Sequence, residues 1–127
     1  MYLFDTHALL WALADDARLG PEAREVFLDD RAPVLVSAAS IWEMSIKVGL
    51  GKLKLGRPLP RIVGQDLDAL GIPVLPVEAR HALGVEALPP HHRDPFDRLL
   101  AATALVDQLV LVSSDPVFPA YGVRVTW

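Results

Sequence analysis

HRDPFDRLLAATA, residues 92–104, turns a proline-rich loop into a strongly apolar helix and sets two aspartates at the turn. Asp94 precedes Pro95, and proline is well tolerated at the first helical position, so Asp94 is the expected N-cap. Asp97 then falls at the third helical position, and Arg98 lies four residues after Asp94, within side-chain reach. Behind them Phe96, Leu99, Leu100, Ala102, Thr103 and Val106 form the wide apolar surface that a helix packed on a sheet needs. Taken alone, the two aspartates have an ordinary structural account as cap and dipole complement. A functional account depends on what the rest of the chain brings beside them.

Upstream, residues 2–4 form a short apolar segment that stops at Asp5-Thr6, the expected end of a first strand and start of a helix over 7–13. Pro21 begins a second helix, whose buried side is Ala23, Val26, Phe27 and Leu28. A buried strand over 33–36 leads into SAASIWEMSIKVGLG, where Ser40 and Glu43 fit an S-x-x-E capping box and Gly49 and Gly51 end the helix. Residues 59–70 carry helical spacing, 72–77 hold a third strand, and 78–88 a short helix. Downstream of the opening stretch, 109–112 is a buried strand ending in Ser113-Ser114-Asp115-Pro116, and 123–125 is an edge strand. Strands alternate with helices throughout, and their short Val, Leu and Ile runs suit a parallel sheet covered on both faces. The expected architecture is α/β: one domain over 1–127, a three-layer α/β/α sandwich with a central, mainly parallel sheet.

Composition narrows the function. A chain of 127 residues can bury a real core without staples, and its 52% hydrophobic content suits buried strands or an apolar surface kept for a partner. The mean hydropathy of +0.32 points the same way. The absence of cysteine excludes a disulfide framework and any Cys-based zinc site. The chain opens on MYLFD and no apolar run approaches a membrane span, so neither a signal peptide nor a membrane segment is expected, and the location is read as cytoplasmic. A net charge of −4 argues against nucleic-acid binding through a broad basic face. Local cations or bound metal would have to overcome the repulsion.

In parallel sheets of this kind ligands bind where strands end and helices begin. Asp5, Glu43, Asp97 and Asp115 all fall at such junctions, and the fold brings them to one rim if the central strands are adjacent. Each also has a structural excuse, Asp5 and Asp115 as N-caps, Glu43 in a capping box, and Asp97 at a helix start. Four crowded carboxylates repel and raise one another's pKa unless cations neutralise them. Mg²⁺, or Mn²⁺ in its place, takes hard oxygen ligands, keeps several waters and can activate one of them against a phosphodiester.

The set DTHALLW (5–11), SAASIWE (37–43), HRDPFDRLLAATA (92–104) and LVSSDPVF (111–118) resembles the PIN-domain ribonucleases, and within them the VapC-type toxins of type II toxin–antitoxin pairs. The similarity runs through nearly the whole chain in order and spacing, with the HxDPFDR segment its most specific part. It implies that acidic residues at the positions of Asp5, Glu43, Asp97 and Asp115 form a Mg²⁺ site for RNA cleavage. It further implies that the hydroxyls of Thr6 and Ser113 support the pocket and that Asp94 serves it as ligand or scaffold. A homodimer and a cognate antitoxin that blocks the site follow from the same resemblance.

Other features carry less. Lys52, Lys54, Arg57 and Arg98 are candidate RNA contacts, with a solvated face as the plain alternative for the first three. His91-His92 lack a third spaced ligand and are read as loop residues. His7 either lines the pocket or packs beside Trp11. The glycines at 49, 51 and 56 match neither a dinucleotide fingerprint nor a P-loop. Trp11, Trp42 and Met44 are read as core or subunit-contact residues. Two rival functions share the architecture, a phospho-acceptor signalling domain and a non-catalytic interaction domain. The first needs a suitably placed lysine, and Lys47 is expected to sit wrongly for it, within a helix.

Overall fold

The computed structural model describes residues 1–90 and 93–127, so the reading of His91-His92 as loop residues lies outside what is described. Five strands, β1 (Tyr2–Phe4), β2 (Val34–Ser37), β3 (Val74–Leu75), β4 (Val110–Val112) and β5 (Val125–Thr126), form one sheet in the order β3-β2-β1-β4-β5. Every pairing among them is parallel. β1 lies between β2 and β4, as the convergence of the acidic residues requires. The order also differs from the 2-1-3-4-5 arrangement of phospho-acceptor signalling domains, which removes topological support for that rival.

The register explains why these strands are buried on both sides. Leu3 pairs with Leu35 and Leu111, while Phe4 pairs with Val36 and Val112, so alternate rungs face opposite layers. Phe4, Val36 and Val112 join the core beneath α1 (Thr6–Leu13), α2 (Pro21–Leu28) and α3 (Ala38–Gly49), with Ala8, Leu9, Ala23 and Met44. Leu3 and Leu111 join Leu100, Ala101 and Ala104 of α7 (Pro95–Val106) and Phe118 of α8 (Val117–Ala120) on the opposite face.

Several local expectations need correction. The cap of α3 is Ser37, whose hydroxyl accepts from the Ala39 N–H, because β2 runs directly into the helix. Ser40 therefore lies inside the first turn and Glu43 is the sixth helical residue, so the S-x-x-E spacing is no capping box. The 59–70 segment is helical but contains a wide π turn, Ile62–Asp66, between α4 (Leu59–Arg61) and α5 (Leu67–Ala69). The 78–88 segment yields only α6 (Ala79–Gly84), with Glu78 and His81 forming its capping box. Near the C-terminus the strand begins at Val125 rather than Val123. Met44 is fully buried, whereas Trp42 is 62% exposed and belongs to no core. Among the described residues no helix is long and apolar enough to cross a membrane.

Candidate active site

Two strand ends, one helix start and the second turn of another helix build the site. β1 ends at Asp5, which caps α1 by accepting the Ala8 N–H at 2.8 Å. Its backbone N–H bonds the Val112 carbonyl, which ties the end of β1 to the end of β4. Just beyond β4, the buried Ser113 hydroxyl accepts the Asp115 N–H at 3.1 Å. Asp115 in turn accepts from the Val117 N–H at 3.0 Å. Asp115 was expected as an N-cap, but that position belongs to Pro116, and Asp115 shapes the turn just before it.

From the opening stretch, Asp94 caps α7 as its sequence dictates. One carboxylate oxygen accepts from the Phe96 N–H at 2.8 Å and the Asp97 N–H at 3.3 Å. The Phe96 ring meets the exposed Trp42 ring edge-on at 5.1 Å, which fixes the start of α7 beside α3. Glu43 projects from α3 with its side chain only 9% exposed. Both its oxygens are engaged: the Thr6 hydroxyl donates to Oε1 at 2.6 Å, and Lys47 Nζ lies 3.1 Å from Oε2.

Asp5, Thr6, Glu43, Asp94, Asp97 and Asp115 thus line one cavity of about 440 Å³, together with His7, Lys47 and Ser114. It opens beside β1 and β4, where the strand order reverses and parallel sheets place their ligands. Burial pushes the Asp5 carboxyl above its ordinary value, and the neighbouring Asp115 charge adds to the shift. The Ser113 hydroxyl, the Ala8 N–H and His7 act in the opposite direction.

The donor set is carboxylate and hydroxyl oxygen, which suits a hard divalent cation. Among the described residues, no three His, Cys, Asp or Glu side chains form a ready-made ligand cage. Hard divalent cations commonly keep several waters, so a few of these carboxylates suffice to hold one.

The candidate RNA contacts separate into different places. Lys54 and Arg57 line a neighbouring cavity of about 490 Å³ with Trp11 and Arg18, and His7 belongs to the walls of both cavities. His7 also stacks on Trp11 at 5.5 Å, so both alternatives raised for it hold at once. Arg57 is paired with Asp66 at 3.3 Å, and Lys52 is exposed outside both cavities. Arg98 donates to the Pro89 and Val85 carbonyls at 3.0 and 3.3 Å and lies over the Tyr121 ring, a clamp between α6, α7 and α8. Lys47, weighed from the sequence only as a phospho-acceptor lysine and set aside, lies within α3 as expected yet lines the acidic cavity. Its i+4 spacing from Glu43 was the available signal, because that spacing puts both on one helical face.

A PIN domain family model matches residues 2–123. Among solved structures, the chain is similar to FitAcB from Neisseria gonorrhoeae, with 23% identity and a TM-score of 0.69, covering 100% of this chain and 97% of that one. It is similar to VapBC2 from Rickettsia felis, solved bound to a DNA fragment from its promoter, with 14% identity and a TM-score of 0.71 over 98% and 96% of the two chains. A toxin–antitoxin complex from Klebsiella pneumoniae matches at 21% identity and a TM-score of 0.64, over 100% and 97%. At these identities the likeness is one of fold. No curated protein matches the chain.

Proposed function

Because the chain belongs to the PIN domain family, a family of nucleases, we propose that it is a Mg²⁺-dependent endoribonuclease and the toxin of a toxin–antitoxin pair. The observation that carries the reading is the single cavity into which Asp5, Glu43, Asp97 and Asp115 project from four separate segments of chain. Structural neighbours that are toxin–antitoxin complexes support a protein antitoxin as partner. The rest of the reading is a cytoplasmic setting, a homodimer, and residues 1–127 as one nuclease domain.

In this reading Asp5, Glu43, Asp97 and Asp115 hold the ion, directly or through water, with Mn²⁺ as a substitute. When bound, the ion supplies acidity to water and positive charge at the phosphodiester. The chain's own groups do the positioning. Thr6 fixes one oxygen of Glu43, Ser113 orients both Asp5 and the turn that carries Asp115, and Asp94 sets the first turn of α7 under Asp97. The extra carboxylate of Asp94 serves as a scaffold here, with Oδ1 accepting from backbone N–H groups of its own helix.

Induced expression tests the reading. Growth should stop, sequencing of RNA 5′ ends should reveal recurrent new cleavage sites, and co-expression of a small neighbouring-gene product should relieve the arrest. Normal growth and unchanged RNA ends at high levels of soluble, folded protein would overturn it.

A further inference from the structure

The acidic cavity contains a cation of its own. Among the described residues, Lys47 is the sole Lys or Arg lining it. Its ammonium lies 3.1 Å from Glu43 Oε2, one turn further along α3 in the favourable Glu-to-Lys order. The two partners of Glu43 differ in how easily they can leave. Thr6 is 5% exposed and held in the first turn of α1, whereas the Lys47 side chain is 38% exposed on a flexible four-carbon stem. Each Glu43 oxygen keeps a second lone pair, but a divalent ion that takes Oε2 would sit against the Lys47 ammonium, and the two like charges repel. The group that can move is Lys47.

We infer that Lys47 is a tethered counter-cation that occupies Glu43 until a divalent ion displaces it, and that its freed ammonium then contacts a phosphate oxygen of the RNA. This rests on the reading of the cavity as a divalent-ion nuclease site. Two consequences follow from charge alone. Removing Lys47 takes away the one Lys or Arg charge among the described lining residues beside five carboxylates, so a cation should bind more tightly. At the same time an acidic site in an acidic protein loses its nearest attraction for a polyanionic substrate. Metal affinity and RNA turnover should therefore move in opposite directions. A merely structural salt bridge would move them together, since a loosened Glu43 weakens both.

The test compares Lys47→Met and Lys47→Arg with the parent, measuring Mn²⁺ affinity by calorimetry without RNA and steady-state cleavage of a short single-stranded oligoribonucleotide. Lys47→Met should bind Mn²⁺ about two- to fivefold more tightly, the range expected on releasing one competing ion pair. Its kcat/KM should fall at least about tenfold, chiefly through KM, as loss of a substrate contact requires. Lys47→Arg keeps the charge and should hold parental metal affinity and most of the cleavage. Lys47→Met that folds but binds Mn²⁺ equally or more weakly overturns the inference, and so does undiminished cleavage. Should Lys47→Met not fold, Lys47→Gln takes its place under the same criteria. A parent that binds no divalent ion overturns the nuclease reading and this inference together, whereas a parent that binds it with the wrong direction in the variant overturns this inference alone.

Discussion

The Thr6 hydroxyl donates to Glu43 Oε1 at 2.6 Å, a buried bond between residues 37 positions apart that joins the first turn of α1 to the middle of α3. Replacing Thr6 by Val keeps the shape but leaves a largely buried carboxylate oxygen without its donor, which costs about 1–3 kcal/mol. Thr6→Val should therefore lower stability by that amount in urea unfolding and reduce metal-dependent cleavage. Thr6→Ser restores the hydroxyl and should recover most of both.

Asp94 and Asp97 are separable by one chemical change. Asn caps a helix about as well as Asp, so Asp94→Asn should preserve the fold and retain measurable metal binding and cleavage. Asp97 lines the cavity without capping, and its charge supports the helix dipole by only about 0.3–1 kcal/mol. Asp97→Asn should hold or slightly raise stability without metal, while losing Mg²⁺-induced stabilisation and nearly all cleavage. Melts with and without Mg²⁺, paired with a cleavage assay, check this. Parental cleavage by Asp97→Asn would reduce it to a helix-start residue.

Far from the site, α6 and the end of α7 are joined by Asp107. Arg80 donates to both its oxygens at 3.0 and 3.2 Å, and the fully buried His81 meets it at 2.7 Å. His81 Nδ1 accepts the Glu78 N–H, so Nε2 carries the proton that is shared with Asp107. The Arg80 bond, assisted by His81, holds the Asp107 carboxyl below its ordinary value against the opposing effect of burial. A depressed acid contributes stability that is present above the ordinary value near 3.8 and is lost as pH falls through the depressed one. Asp107→Asn should cost about 1–2 kcal/mol at neutral pH and flatten the acid limb of the stability–pH profile. An unchanged limb by chemical denaturation would show that Asp107 contributes nothing there.

Gly20 marks a close approach of backbones. A Cβ at this position would lie 2.0 Å from the Trp127 carbonyl oxygen, which also accepts the Ala23 N–H. Gly20→Ala should destabilise by about 1–3 kcal/mol through displacement of the C-terminal residues from α2. Thermal melts of the single variant measure it.

Much of this arrangement was legible because it is local. Asp94-Pro95 specifies a cap and a first helical residue, and Tyr2–Phe4 ending at Asp5 specifies a strand and a helix start. What the sequence concealed depends on distant partners. Ser40-x-x-Glu43 has the spacing of a capping box, but β2 extends through Ser37 and begins α3 three residues earlier. Arg98 stands beside two aspartates in sequence, and spacing alone gives no sign that it also reaches the Tyr121 ring and hydroxyl and carbonyls of the α6 region. Lys47 could be placed on the face of Glu43 from spacing, but only the packing of α3 against α1 turns that face toward Asp5.

Hydrolysis of RNA in this carboxylate-lined cavity, with a divalent ion, is the activity we propose. Its most direct test mixes end-labelled RNA with purified chain stripped of metal, in EDTA, in Mg²⁺ and in Mn²⁺, beside the Asp115→Asn variant. No cleavage is expected in chelator, cleavage on adding either ion, and near-complete loss in Asp115→Asn under every condition. Cleavage that persists in excess chelator, or that survives Asp115→Asn at the parental rate, would contradict it.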